Sequence, residues 1–313
     1  MKKFIFRSLV FILILSGLFG YGFVSHVNSA PSCTIATHSV TVGNGTLFYN
    51  QVGIGRTILL LHGLFADKEQ WEGMMCRLSQ EGYRAIAIDL PGYGNSTGFT
   101  VRDYVLENQV ILIHEFMERL KIDSFDLAGS SMGGAIATLY TQRYPEQVLS
   151  LALIGSPLGV IGWANSVKES IFEGVNPFIP ITKKQFDLEM SLLFVKPPSI
   201  PDSVKTEKVN DYITRNRHYQ QIWDIVNLYD DVFCQKPLIR LPTLVIWGKE
   251  DKIYDLRGVE QLQNCISSSK IIQLSKAGHL LLMENAADAA SEYISFLRIT
   301  KKSFERRSTT LIY

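Results

Sequence analysis

Gly129-Ser130-Ser131-Met132-Gly133 sets a serine between two glycines, with the apolar run Phe125-Asp126-Leu127-Ala128 before it and Gly134-Ala135-Ile136-Ala137 after it. A strand that feeds a helix through so sharp a turn pushes the central side chain outward, and glycines let the two backbones pass closely. Ser131 is therefore a candidate nucleophile. A serine hydroxyl attacks poorly until a base takes its proton, and a histidine base needs a carboxylate to fix its tautomer and stabilise the imidazolium. The chain has six histidines. His26 lies beside an N-terminal apolar run, His38 in a hairpin, His114 on an amphipathic helix and His218 in a segment without strand pattern. His279, in Ala277-Gly278-His279, follows the last strand-like run, and in open parallel sheets sites assemble at the carboxyl ends of strands. It is the expected base. The expected acid is Asp251, in Trp247-Gly248-Lys249-Glu250-Asp251 after another such run, with Glu250 and Asp255 as competitors. His62-Gly63-Leu64-Phe65 follows a further run, and the backbone N–H groups of Leu64 and Met132 could hold the oxyanion of a tetrahedral intermediate. One such donor is worth roughly 3 kcal/mol in the transition state. His62 then braces its loop and is not a second base.

The elements that must position these groups are legible as pattern. Ser39-Val40-Thr41-Val42 and Thr46-Leu47-Phe48-Tyr49 flank Gly43-Asn44-Gly45, a hairpin signal. Continuous apolar runs of strand length follow at 57–61, 84–88, 125–128, 148–154, 243–247 and 270–274, as expected of strands covered on both faces. Residues 103–120 place Val105, Leu106, Val110, Ile113, Phe116, Met117 and Leu120 at helical spacing, and 132–144, 255–265 and 286–297 are further helix candidates. A hairpin followed by alternating strands and helices predicts an α/β fold with a mostly parallel sheet covered by helices on both faces. From about 158 to 233 the alternation stops. Prolines punctuate this stretch, and no buried strand is evident, so it is expected to be a helical cap insertion. Phe186, Met190, Leu193 and Phe194 within it are candidate walls of an apolar substrate pocket.

Composition bounds the class. The 313 residues are 46% hydrophobic with a net charge of +1, which suits a large core and argues against a nucleic-acid surface. Lys2, Lys3 and Arg7, the apolar run from Leu9 to Val24 and Val27-Asn28-Ser29-Ala30 read as an export signal over residues 1–30, cleaved or retained as an N-terminal membrane anchor. The protein is thus expected to be periplasmic, secreted or membrane-attached, and possible contact with a membrane surface follows. Residues 31–313 would form the folded domain. Export permits disulfides among Cys33, Cys76, Cys234 and Cys265. Four cysteines allow three pairings, and burial as small apolar side chains is the alternative; Cys234–Cys265 is one candidate pair, since both would close helices that run to the same edge of the sheet. Residues 301–313, polar and basic, are expected to fray.

Taken together, Leu61-His62-Gly63, Asp89-Leu90-Pro91-Gly92-Tyr93-Gly94-Asn95-Ser96, the Ser131 turn, Trp247 to Asp251 and Gly278-His279 resemble the α/β-hydrolase superfamily over essentially the whole mature chain. In detail they look most like monoacylglycerol-lipase-type enzymes and related bacterial lipases. The resemblance implies a serine hydrolase acting on small-molecule or lipid carboxylic esters through an acyl-enzyme, with neither metal nor organic cofactor. The match is loose in the cap, where acyl preference would be set. Carbon–carbon bond hydrolysis or cofactor-free perhydrolysis on the same triad is an alternative, as is a non-catalytic ligand-binding protein of the same fold.

Overall fold

The computed structural model describes residues 33–229, 232–233, 239–266 and 268–310. The expected export segment and Cys234 lie outside the described residues. Strands β1 (Ala36–Val42) and β2 (Gly45–Val52) form the hairpin, with Val42 opposite Gly45. Then come β3 (Arg56–Leu61), β4 (Tyr83–Ile88), β5 (Phe125–Gly129), β6 (Val148–Ile154), β7 (Thr243–Gly248) and β8 (Ser269–Leu274). Their order in the sheet is β1-β2-β4-β3-β5-β6-β7-β8, and every pairing from β4 to β8 is parallel. The expected mostly parallel α/β sheet is therefore present.

Alternate residues of the central strands point to opposite layers. Leu59, Leu61, Ile86, Ile88, Leu151, Leu153, Val245 and Trp247 join one buried cluster, whereas Ile58, Leu60, Ala85, Ala87, Ala152, Ile154, Leu244 and Ile246 join the other. Two apolar faces explain why these strands read as unbroken apolar runs. Helices α1 (Glu72–Gln80), α2 (Leu106–Arg119) and α3 (Met132–Arg143) alternate with the first parallel strands. The expected helix over 103–120 is divided. Thr100 and Asp103 form a reciprocal capping box on a short 3-10 turn, Val101–Tyr104, and extended backbone at Val105 (φ −59°, ψ 131°) separates that turn from α2.

Between β6 and β7 stand four helices: α4 (Asn165–Phe172), α5 (Lys183–Leu193), α6 (Asp202–Thr214) and α7 (Asn216–Val226). Helices α8 (Arg257–Cys265), α9 (Leu281–Glu284) and α10 (Ala286–Thr310) complete the chain. The expectation of a frayed tail from 301 is corrected: no glycine or proline interrupts residues 286–310, and the backbone continues as helix to Thr310. Cys33 is bonded to Cys76, which ties the chain ahead of β1 to α1, and Cys265 is also disulfide-bonded. Among the described residues no helix is long and apolar enough to cross a membrane.

Candidate active site

The sheet order reverses at β3: the next strand, β4, pairs on one side of it and β5 on the other. Ligands bind outside the carboxyl ends of strands at such a switch point. The loop after β3 and the turn after β5 meet there, held by the Ser130 amide donating to the Leu61 carbonyl at 3.0 Å. Ser131 has φ 51° and ψ −117°, a region that non-glycine residues rarely occupy. The turn closes so tightly that a Cβ on Gly133 would overlap the Leu61 carbonyl oxygen, and one on Gly129 would overlap that of Gly133. The two glycines therefore permit the strained serine.

The loop after β8 delivers His279 to this serine. Its Nε2 lies 3.2 Å from the Ser131 Oγ, and its Nδ1 lies 3.2 Å from Asp251 Oδ2. Asp251, at the end of β7, is buried. Its Oδ1 accepts from the amides of Ile253 at 2.8 Å and Tyr254 at 3.1 Å. Burial by itself raises this carboxyl. The charge and hydrogen bond of His279, then the Ser156 hydroxyl and the Ile253 amide, outweigh it and bring Asp251 below the usual carboxylate range. The two competitors are engaged elsewhere. Glu250 accepts from the Ala277 amide at 3.1 Å and so braces the histidine loop. Asp255 accepts from the Arg257 amide at 2.8 Å.

The amides of Leu64 and Met132 donate to no protein acceptor among the described residues. Gly63 brings its loop against the serine, since a Cβ there would sit 3.2 Å from Ser131 Cβ. His62 is fully buried, with Nδ1 facing the Gly63 carbonyl at 2.8 Å and Nε2 accepting from the Leu90 amide at 3.1 Å. Burial lowers it to about 4, so the ring is neutral and its nitrogens are occupied in holding the loop. The neighbouring Lys68 Nζ, also buried, pairs with Asp89 Oδ2 at 2.9 Å and Glu69 Oε1 at 2.8 Å, tying the loop after β3 to that after β4.

Above these groups lies a cavity of about 220 Å³. Ser131, His279 and Leu64 line it, together with Phe186, Met190, Leu193 and Phe194 from α5 and its end. The α5 segment is anchored to the histidine loop: Leu280 donates to the Leu193 carbonyl at 3.2 Å, and Glu284 accepts from the amides of Gly278 at 2.7 Å and Val195 at 2.8 Å. Lys252, beside Asp251, donates to the Ser191 carbonyl at 2.7 Å.

Two residues enter the site unannounced by sequence pattern. Ser156, beyond β6, contacts both Asp251 and His279. Glu189, on α5, is buried in the cavity wall. Its Oε1 accepts from Tyr212 at 3.2 Å, and its Oε2 has no hydrogen-bond partner among the described residues. Among the described residues no group of three or more His, Cys, Asp or Glu side chains is placed to hold a metal ion.

Monoacylglycerol lipase ABHD6 of Bos taurus is 29% identical to this chain over 263 residues, covering 80% of the chain and 77% of the relative. Lipase 3 of Moraxella sp. (strain TA144) is 31% identical over 260 residues, covering 79% of each. Among solved structures, the crystal structure of a membrane phospholipase A, described as a novel bacterial virulence factor, superposes with a TM-score of 0.79 at 28% identity, covering 96% of this chain and 99% of that one. The family model for the alpha/beta hydrolase fold matches residues 56–286, from β3 through the loop that carries His279, and the chain belongs to that family.

Proposed function

We propose that the protein is a lipase-type serine hydrolase that cleaves carboxylic esters of apolar acids through an acyl-enzyme. The observation that carries this reading is the hydrogen-bonded line from Ser131 Oγ through His279 to Asp251, opening into a cavity walled by Phe186, Met190, Leu193 and Phe194. In this mechanism His279 Nε2 takes the Ser131 proton as Oγ attacks the ester carbonyl. The Leu64 and Met132 amides receive the oxyanion, aided by the positive end of α3. His279 then gives its proton to the leaving alcohol, and a water activated by the same ring releases the acid. The helices α4 to α7 act as the cap over the acyl chain. The relatives named as lipases support a lipid ester as substrate.

An exported location is part of the proposal. Disulfides at Cys33–Cys76 and at Cys265 suit an oxidising compartment. Exposed apolar side chains on and beside the cap helices, Phe172 at 85% and Leu228 at 77%, would favour contact with a lipid surface.

Ser131→Ala tests the reading. It should abolish turnover of p-nitrophenyl esters and labelling by a fluorophosphonate probe, with circular dichroism and melting unchanged. A variant that keeps a tenth of wild-type turnover would show that Ser131 is not the nucleophile.

A further inference from the structure

Ser156 stands two residues beyond β6, the strand lying between that of the nucleophile and that of the acid in the sheet order. Its side chain is fully buried. Its hydroxyl donates to Asp251 Oδ2, and its Oγ lies 2.9 Å from His279 Nδ1, closer than Asp251 Oδ2 at 3.2 Å. Gly155, with φ 97°, keeps the strand end tight against the site: a Cβ there would lie 3.2 Å from Ser130 Oγ and 3.5 Å from the His279 carbonyl oxygen.

Counting hydrogens decides which way this contact runs. To take a proton from Ser131, His279 Nε2 must be bare, so the neutral ring carries its hydrogen on Nδ1. A serine hydroxyl has one hydrogen, and here it points to Asp251. The oxygen lone pairs then face Nδ1–H as an acceptor. Asp251 Oδ1 is fixed by the Ile253 and Tyr254 amides, which leaves Oδ2 for both Ser156 and His279.

We infer that Ser156 is a positioning residue that links Asp251 to His279, sharing the Nδ1 hydrogen with the carboxylate so that Nε2 stays free to accept the Ser131 proton. The inference rests on the triad reading above. During attack the Ser131 Oγ–H bond breaks and its proton goes to Nε2. Nδ1 keeps its own hydrogen throughout, now held by two oxygens against a cationic ring. The proton on Nε2 leaves with the alcohol. Ser156 gains and loses nothing, so its contribution is orientation and a dipole directed at the imidazolium. The Ser156 hydroxyl also helps keep the Asp251 carboxyl ionised in spite of its burial.

The experiment is a double-mutant cycle with p-nitrophenyl butyrate. Ser156→Ala should lower kcat by about tenfold or more, the scale of one hydrogen bond to a charged group, and leave KM within about twofold. In an Asp251→Asn background the same change should lower kcat less than about twofold further, because the link it serves is already broken. Ser156→Cys, nearly the same in volume but a weak donor, should fall close to the alanine variant, and it guards against a cavity that destabilises the protein. An equal loss in both backgrounds, a change in KM alone, or wild-type kcat in the cysteine variant would overturn the inference. If Ser131→Ala is inactive while Ser156→Ala is not impaired, only the Ser156 link fails. If Ser131→Ala remains active, the triad reading fails first.

Discussion

Glu189→Gln should stabilise the protein by an amount that grows with pH. The wild-type carboxyl is 5% exposed, and burial raises it from 4.5 to about 8, against smaller opposing effects of the Tyr212 hydrogen bond and the Lys208 charge. Between those two values the folded state holds a proton that the unfolded chain has released. The favourable contribution of the buried acid is thus complete below the unfolded value and is lost as pH rises to about 8. The loss runs at about 1.4 kcal/mol per pH unit, so the whole window is worth about 5 kcal/mol and the part below pH 7 about 3 kcal/mol. Glutamine fills nearly the same volume, keeps an oxygen for Tyr212 and does not titrate. Urea unfolding of both proteins at pH 4.5, 6, 7 and 8 gives the difference directly. The slope is the test, because any fixed cost of burying the amide cancels from it. A difference that stays flat across this range, or that favours the variant most in acid, would refute the argument that Glu189 is held neutral by burial.

Other substitutions separate the roles assigned to neighbouring groups. Asp251→Asn should lower kcat by about ten-thousandfold through loss of the histidine tautomer, while Glu250→Gln, which only braces the Ala277 amide, should cost far less; the reverse ranking in ester turnover would move the acid role. Replacing Cys33 and Cys76 together by serine opens a link between positions 43 residues apart and should lower unfolding stability by about 4 kcal/mol with kcat unchanged, as read by denaturant titration. A Phe186→Ala, Phe194→Ala pair removes wall contacts from about two acyl methylenes, so kcat/KM for octanoyl relative to acetyl esters should fall about tenfold. An unchanged ratio would place acyl selection outside this wall.

The central strands β3 to β7 were legible because they are buried on both faces, which forces runs such as Ile58 to Leu61 and Leu244 to Trp247 to be apolar throughout. The hairpin turn, the Ser131 turn and the loops after β7 and β8 were legible because each needs a special residue just beyond an apolar run. Helix α1 was missed. Its buried residues, Met74, Met75, Cys76 and Leu78, are too few for a clear period, and its entry is a 3-10 turn fixed by Asp67 and not by a recognisable cap sequence. Glu189 was missed for a different reason. On α5 it shares the buried face with Phe186 and Leu192 at spacings of three, but a glutamate reads as solvated, and only the packing of Tyr212 from α6 shows it enclosed. Ser156 had one available signal, its place just beyond a buried strand, but Gly155-Ser156-Pro157 also reads as an ordinary loop.

Strand ends and cap helices place their side chains by different means, and the difference bears on how the site divides its work. The proposed reacting groups and their neighbours sit at the carboxyl ends of adjacent strands: Gly63 and Leu64 after β3, Ser131 after β5, Ser156 after β6, Asp251 after β7 and His279 after β8. Their positions are fixed by the register of a parallel sheet, in which Leu61 pairs with both Ile88 and Gly129. Sequence reports such positions well wherever the residue type is distinctive. Glu189, Tyr212, Phe186 and Phe194 belong instead to the segment between β6 and β7, where helix against helix sets which side faces the cavity. That segment is nevertheless attached to the His279 and Asp251 loops through Glu284, Leu193 and Lys252, so it is held over Ser131 without supplying any of the proposed reacting groups. Substitutions in the cap wall should therefore change which ester is accepted before they change whether one is cleaved, whereas those at the strand ends should do the reverse.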